Sequence, residues 1–227
     1  MNLDHKHIVI SGGGGALGRA VARRAQTYGA RVTLLDRQPV QDLPAGMQAV
    51  AVNLADASAT AAVFASLEPV DAVVAVAGGF AMGAAVHDAD DTQWESMMAM
   101  NVVPLRNVIK AAVPAMLARK RGRIVTVGAL SALQGKAAMG AYTASKAVVM
   151  NLTESLAAEL AGTNIRANAV LPSIIDTPAN RAAMPDADYS AWTAPDDIAE
   201  VMCFLSSDQS QAIHGALIPV GGAPLRA

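Results

Sequence analysis

The chain has 227 residues, 53% of them hydrophobic and only 16% charged. Globular chains usually carry about 25% charged residues, so this one can bury a large core and is not disordered. A formal net charge of -2 and a pI near 6.1 offer no basic footprint for nucleic acid or anionic lipid. The length suits one α/β domain over residues 1–227 better than two small ones.

The longest nearly apolar stretch, Ala72 to Val86, lies between Asp71 and His87 and is interrupted by Gly78, Gly79 and Gly83. It is too short and too broken to span a bilayer. The N-terminal residues contain no apolar run, and the one cysteine, Cys203, cannot form an internal disulfide. A cytoplasmic location is therefore expected.

Short β-branched runs alternate with Ala-rich stretches along the whole chain. The pattern predicts strands at His7–Ser11, Arg31–Leu35, Gln48–Val52, Ala72–Val76, Arg123–Val127, Ile165–Val170 and Ala216–Val220. It predicts helices at about Leu17–Tyr28, Ala57–Leu67, Asp91–Arg119 with a break near Pro104, Gly140–Ala161 and Pro195–Ser206. Strands alternating with helices imply a parallel sheet covered on both faces. The expected architecture is a doubly wound, seven-stranded, Rossmann-type α/β domain, whose ligand sits at the carboxyl ends of the strands.

After the first strand come Ser11, Gly12, Gly13, Gly14, Gly15, Ala16, Leu17 and Gly18, with a helix directly behind them. Glycines permit positive φ and let backbone N–H groups approach a pyrophosphate at the positive end of the helix dipole. Asp36 ends the second strand, eighteen positions past Gly18, where a carboxylate can accept from both adenosine ribose hydroxyls and repel a 2′-phosphate. That favours NAD(H). Arg37, next to it, could pair with a 2′-phosphate and keeps NADP(H) open.

Gly140, Ala141, Tyr142, Thr143, Ala144, Ser145 and Lys146 open a helix in which Tyr142 and Lys146 share one face. A phenol titrates at about 10, and a neighbouring ammonium would stabilise its phenolate and lower that value. Tyr142 would then exchange a proton with a substrate oxygen or nitrogen.

With these elements in place the chain resembles the short-chain dehydrogenase/reductase family over nearly its whole length. The resemblance is carried by the loop Ser11 to Gly18, Asp36, Asn53-Leu54, the turn Ala77-Gly78-Gly79, Asn101, the Tyr142 to Lys146 motif, and the stretch from Pro172 through Ile175 to Thr177. It implies Tyr142 as general acid, Lys146 as phenol-tuning group and ribose ligand, and Asn101 as holder of a water in a proton relay. It also implies that Thr177 and the Ile175 backbone hold the cofactor's carboxamide and phosphate end. Asn53 replaces the family's usual Asp at the adenine position, yet its side-chain oxygen can still accept from an amino group.

One departure is larger. The family's carbonyl-polarising serine lies thirteen residues before the tyrosine, where this chain has Ala129. Ser131 is about 6.6 Å farther along an extended backbone, out of place unless the chain curls back after the fifth strand. Loss of one such donor typically costs roughly 2.7–4 kcal/mol of transition-state stabilisation. Within the family, dihydropteridine reductases lack this serine. Gly12 to Gly18, Val76 to Phe80, Val127 to Ala129 and Asp176 to Thr193 resemble that subgroup, whereas Asn101 resembles the wider family. A quinonoid ring accepts hydride without needing a carbonyl donor.

The expected activity is hydride transfer between a nicotinamide and a small carbonyl, alcohol or imine substrate. NADH-dependent quinonoid dihydropteridine reduction is the alternative. A non-catalytic dinucleotide-binding sensor or scaffold is a third reading, opposed by the joint presence of Tyr142, Lys146 and Asn101.

The segment 173–193 is expected to be a mobile lid over the nicotinamide, with Met184, Tyr189 and Trp192 as its apolar groups. The apolar helix after Tyr142, with Val148, Val149, Leu152 and Leu156, predicts a homodimer or homotetramer. His5, His7, His87 and His214 lack ligand-like spacing, so no metal is expected. Asp90-Asp91 and Asp196-Asp197 read as helix caps, Met97, Met98 and Met100 as packing, and Cys203 as a buried helix position.

Overall fold

The computed structural model describes residues 1–221. The strands are β1 (His7–Ser11), β2 (Arg31–Asp36), β3 (Met47–Ala51), β4 (Ala72–Ala75), β5 (Gly122–Val127), β6 (Ile165–Pro172) and β7 (Leu217–Val220). The helices are α1 (Ala16–Thr27), α2 (Ala57–Ser66), α3 (Asp91–Asn101), α4 (Val103–Ala118), α5 (Gly140–Glu159), α6 (Pro178–Ala183) and α7 (Pro195–Ser206). All strands are parallel, in the order β3-β2-β1-β4-β5-β6-β7. The order reverses between β1 and β4, and the crevice outside their carboxyl ends is where such a sheet takes its ligand.

Every residue of β1, β4 and β5 is buried, as a sheet covered on both faces requires. The pleat sends Ile8 and Ile10 into the core with α1 and α7, while Val9 joins Val73, Val108, Met116 and Leu156 on the other face. Asp56 and Asp90 start α2 and α3 by accepting N–H groups of their first turns. At α7 the expected caps are corrected: the cap position is Ala194, which makes no side-chain bond, and Asp196 and Asp197 lie inside the first turn. There they meet the positive end of the helix dipole, while Pro195 fills a position that needs no N–H.

The predicted break near Pro104 falls at Val102, and Pro104 lies in the first turn of α4. Four short elements were not predicted: 3-10 turns at Leu130–Leu133, Tyr189–Ala191 and Asp208–Ser210, and the helix α6. All are too short to show periodicity in a sequence.

Ile10 is fully buried. Its replacement by Ala should lower the unfolding free energy by about 2–5 kcal/mol. A urea melt that moved by less than about 1 kcal/mol would refute its place in the core.

Candidate active site

The loop from Gly12 to Gly18 is shaped by close approach. Gly12 has a φ of 73°, and a Cβ there would lie 2.7 Å from the Ala77 nitrogen; one at Gly18 would overlap the Gly12 carbonyl. Only glycine allows α1 to begin this near to β1 and to the turn after β4. Gly15 caps α1 without a side-chain bond. The N–H groups of Ala16, Leu17 and Gly18 have no backbone acceptor among the described residues, so unsatisfied donors and the helix dipole meet here, as an anionic diphosphate requires. Ser11 is buried and accepts weakly from the Ala77 N–H.

Asp36 lies beneath this loop. Its carboxylate accepts from the Gly14 N–H at 2.9 Å and the Gln38 N–H at 3.3 Å. Arg37 is exposed. Arg19, which carries no motif signal in the sequence, donates to the Gly14 carbonyl at 3.1 Å and the Gln41 carbonyl at 3.2 Å. Leu54 is buried. Asn53 is exposed, and its side-chain oxygen accepts from the Ala55 N–H at 3.1 Å, so the adenine would have to share that oxygen with the turn.

Tyr142 and Lys146 stand one turn apart in α5 and both line a cavity of about 650 Å³ at the strand ends. At the start of α5 a Cβ on Gly140 would lie 2.8 Å from a Val86 methyl, so a larger residue there would have to push that exposed side chain aside. The Tyr142 ring meets Phe80 edge to face, with centroids 4.9 Å apart. Burial pushes the Tyr142 phenol up to about 12 and the Lys146 ammonium down to about 8. The expectation that Lys146 lowers the phenol is therefore corrected for the ligand-free chain. Desolvation governs both groups, and the ammonium donates to the Val127 carbonyl at 2.9 Å.

Asn101 is buried at the end of α3. Its oxygen accepts from the Gly79 N–H at 2.8 Å; its amide donates to the Gly79 carbonyl at 3.2 Å and the Ser145 hydroxyl at 2.9 Å. The side chain thus ties the Ala77-Gly78-Gly79 turn to α5. A Cβ at Gly78 would lie 2.5 Å from that oxygen and 3.4 Å from the Lys146 nitrogen, so Asn101 and Lys146 converge on a bare backbone.

Ala129 is buried in the cavity wall. Behind it the chain does curl back. The Ala132 N–H bonds the Ala129 carbonyl at 3.0 Å, and the 3-10 turn returns Ser131 to the same cavity. The Ser131 hydroxyl has no partner among the described residues.

The segment after β6 is more ordered than a bare lid. Thr177 caps α6 by accepting from the Asn180 N–H at 3.2 Å, and the Asn180 amide donates to the Ile175 carbonyl at 2.8 Å. The Ile175 N–H has no acceptor among the described residues, leaving it for a carboxamide. Pro172, Ile175 and Met184 line the cavity; Tyr189 and Trp192 do not. That corrects their assignment as substrate groups. Tyr189 packs on Trp192 at 4.7 Å and under Arg181 at 4.5 Å, because rings this large are better buried against each other than against an open cavity.

The remaining residues behave as structural groups. Asp90 caps α3, the His7 ring bonds Thr33 and the Glu68 carbonyl, and burial pushes the Cys203 thiol up to about 12. Phe80, Lys136 and Asn180 also line the cavity. Phe80, directly after the Gly78-Gly79 turn, and Asn180, within 173–193, carried a positional signal; Lys136 carried none.

A family model described as short chain dehydrogenase matches residues 6–188. The chain belongs to the short-chain dehydrogenase/reductase family and is an oxidoreductase of that class. Among its relatives, 2-(S)-hydroxypropyl-CoM dehydrogenase 3 of Xanthobacter autotrophicus is 33% identical, over 97% of this chain and 96% of the relative. Inactive 2-(S)-hydroxypropyl-CoM dehydrogenase 2 of the same organism is 33% identical over 89% and 98%. A solved structure described as a short chain dehydrogenase/reductase family protein superposes with a TM-score of 0.90 at 28% identity, covering 98% of each chain.

A buried ammonium with one carbonyl partner destabilises the ligand-free fold. Lys146→Met should therefore raise its Tm by about 2–4 °C for each kcal/mol regained. Between about 8, where the folded protein releases this proton, and 10.5, where the unfolded chain does, wild type gains stability as pH rises. The Tm gap should narrow over that window. A gap that widened there would contradict the burial account.

Proposed function

We propose that the protein is an NAD(H)-preferring dehydrogenase/reductase interconverting a small secondary alcohol and its ketone. The observation that carries this reading is that Tyr142, Lys146 and Ser131, whose hydroxyl has no partner among the described residues, line one cavity. A bound nicotinamide would supply or accept the hydride. Held at about 12 by burial, Tyr142 is protonated at neutral pH. It is thus ready to donate its proton to a carbonyl oxygen whose carbon receives hydride. In the reverse direction it takes the hydroxyl proton back.

Ser131 would donate a hydrogen bond to the same oxygen, doing what Ala129 cannot. This favours a ketone over a quinonoid ring, which has no need of that donor. Lys146 has N–H groups free for the nicotinamide ribose, and the Ile175 N–H is available for the carboxamide. A relative named as inactive keeps sensor or scaffold as the outcome if no turnover is found.

The preference for NAD(H) rests on Asp36, whose charge at the Gly14 N–H would repel a 2′-phosphate. Asp36→Asn keeps an acceptor and removes the charge, so the NADPH to NADH affinity ratio should rise about tenfold or more. Fluorescence titration with both nucleotides checks this. An unchanged ratio would shift the discrimination to Arg19 or Arg37.

Tyr142→Phe should abolish ketone reduction and leave NADH affinity nearly unchanged, because the phenol acts on the substrate's proton. Ser131→Ala should lower the rate by about 10²–10³, and Ala129→Ser in that background should restore part of it. Full activity in Tyr142→Phe would overturn the mechanism. Full activity in Ser131→Ala would show that Ser131 does not supply the donor missing at Ala129.

A homodimer or homotetramer is also proposed, since Val148 and Leu152 of α5 remain only partly buried in one chain. Light scattering that returned a 23.2 kDa particle at micromolar concentration would remove that claim.

A further inference from the structure

Resting on the dehydrogenase reading, we propose that the substrate carries a fixed negative charge, such as a carboxylate, which Lys136 receives at the mouth of the cavity.

The cavity that holds Tyr142 is lined by two lysines, Lys136 and Lys146, and by no aspartate or glutamate. Lys146 is buried at its inner end, and Lys136 is exposed at its rim. Lys136 makes no ion pair among the described residues. Most of the wall is apolar, with Phe80, Met82, Met139 and Ile174 among its residues. Low-dielectric walls focus an uncompensated positive potential into the opening, which draws anions in and holds them there.

The loop that carries Lys136 is fixed. The Met139 N–H bonds the Lys136 carbonyl at 3.2 Å, and the Gly83 N–H bonds the Ala138 carbonyl at 2.9 Å. Ala138 has a φ of 59°, which closes that turn sharply. This pins the loop to the segment bearing Phe80 and Met82, so the charge and the apolar wall form one rim. The matching ligand is a chain with its carbonyl or hydroxyl at Tyr142, an apolar middle against methionines that adapt to its shape, and an anion at the far end.

The test uses the NADH-loaded Tyr142→Phe variant, which binds without turning over. Straight-chain methyl ketones ending in a carboxylate are titrated against primary amides of the same length. The acid should bind roughly five- to tenfold more tightly than its amide. That advantage should vanish in the Lys136→Gln double variant, return in Lys136→Arg, and shrink as salt is added. Equal binding of acid and amide, no binding of either, or an acid preference that survives Lys136→Gln would overturn the proposal. Wild-type turnover of the same ketones is scored separately. An acid preference that depends on Lys136, with no NADH oxidation in wild type, would uphold the anion site while the dehydrogenase reading failed.

Discussion

The molecule is organised around one unfavourable group, the ammonium of Lys146, buried with the Val127 carbonyl as its acceptor. Three elements must end at the right places to create that situation. β5 stops at Val127, so its last carbonyl has no further ladder to join. α5 begins at Gly140, whose bare Cα lets the Val86 side chain lie against the start of the helix. The turn after β4 presents Gly78, whose missing side chain leaves the space the Asn101 oxygen enters, with the ammonium just beyond it. Asn101 secures that turn through both of its own polar atoms. A site built this way gives up stability that, on the proposed reading, ribose hydroxyls would return by completing the hydrogen bonds.

The same double use of one group operates at the first junction. Asp36 both braces the glycine loop, through the Gly14 N–H, and carries the charge that would sort one dinucleotide from the other. Arg19 holds the opposite side of Gly14, which keeps a cation within the same loop. On the proposed reading, cofactor choice would be a balance between one carboxylate fixed by backbone donors and one guanidinium fixed by backbone carbonyls. Arg37 reaches solvent and has less structural means of contributing.

What could be read without coordinates follows from where a doubly wound sheet puts its strand ends. Ser11, Asp36, Ala77, Ala129 and Pro172 each follow or close a strand of β-branched residues, so sequence alone put them on one edge. The strand and helix boundaries agreed to within two residues for the same reason. Partners that arrive from elsewhere in the chain were not legible. Arg19 and Lys136 look like solvated charges until the fold brings Gln41 to the first and Gly83 to the loop of the second. The phenol also could not be read correctly, because the i, i+4 pairing said the two groups were neighbours but not that desolvation outweighs their attraction.

The segment after β6 shows how far order can extend into a lid. An Arg181–Asp176 ion pair with contacts of 2.6 and 2.7 Å, the Thr177 cap, and the Tyr189 and Trp192 rings join its parts. The Ser173 and Thr193 hydroxyls, 2.7 Å apart, and the bridge between Ile175 and Thr193 close its base. A segment tied across its own ends moves as a unit, because separate motion would break several of these contacts at once. Met184 and Ile174 face the cavity from this unit. Any displacement of the lid therefore changes the apolar wall without disturbing Tyr142, Lys146 or Asn101, which belong to helices packed on the sheet. On the proposed reading, substrate fit and proton transfer would thus be carried by different parts of the fold.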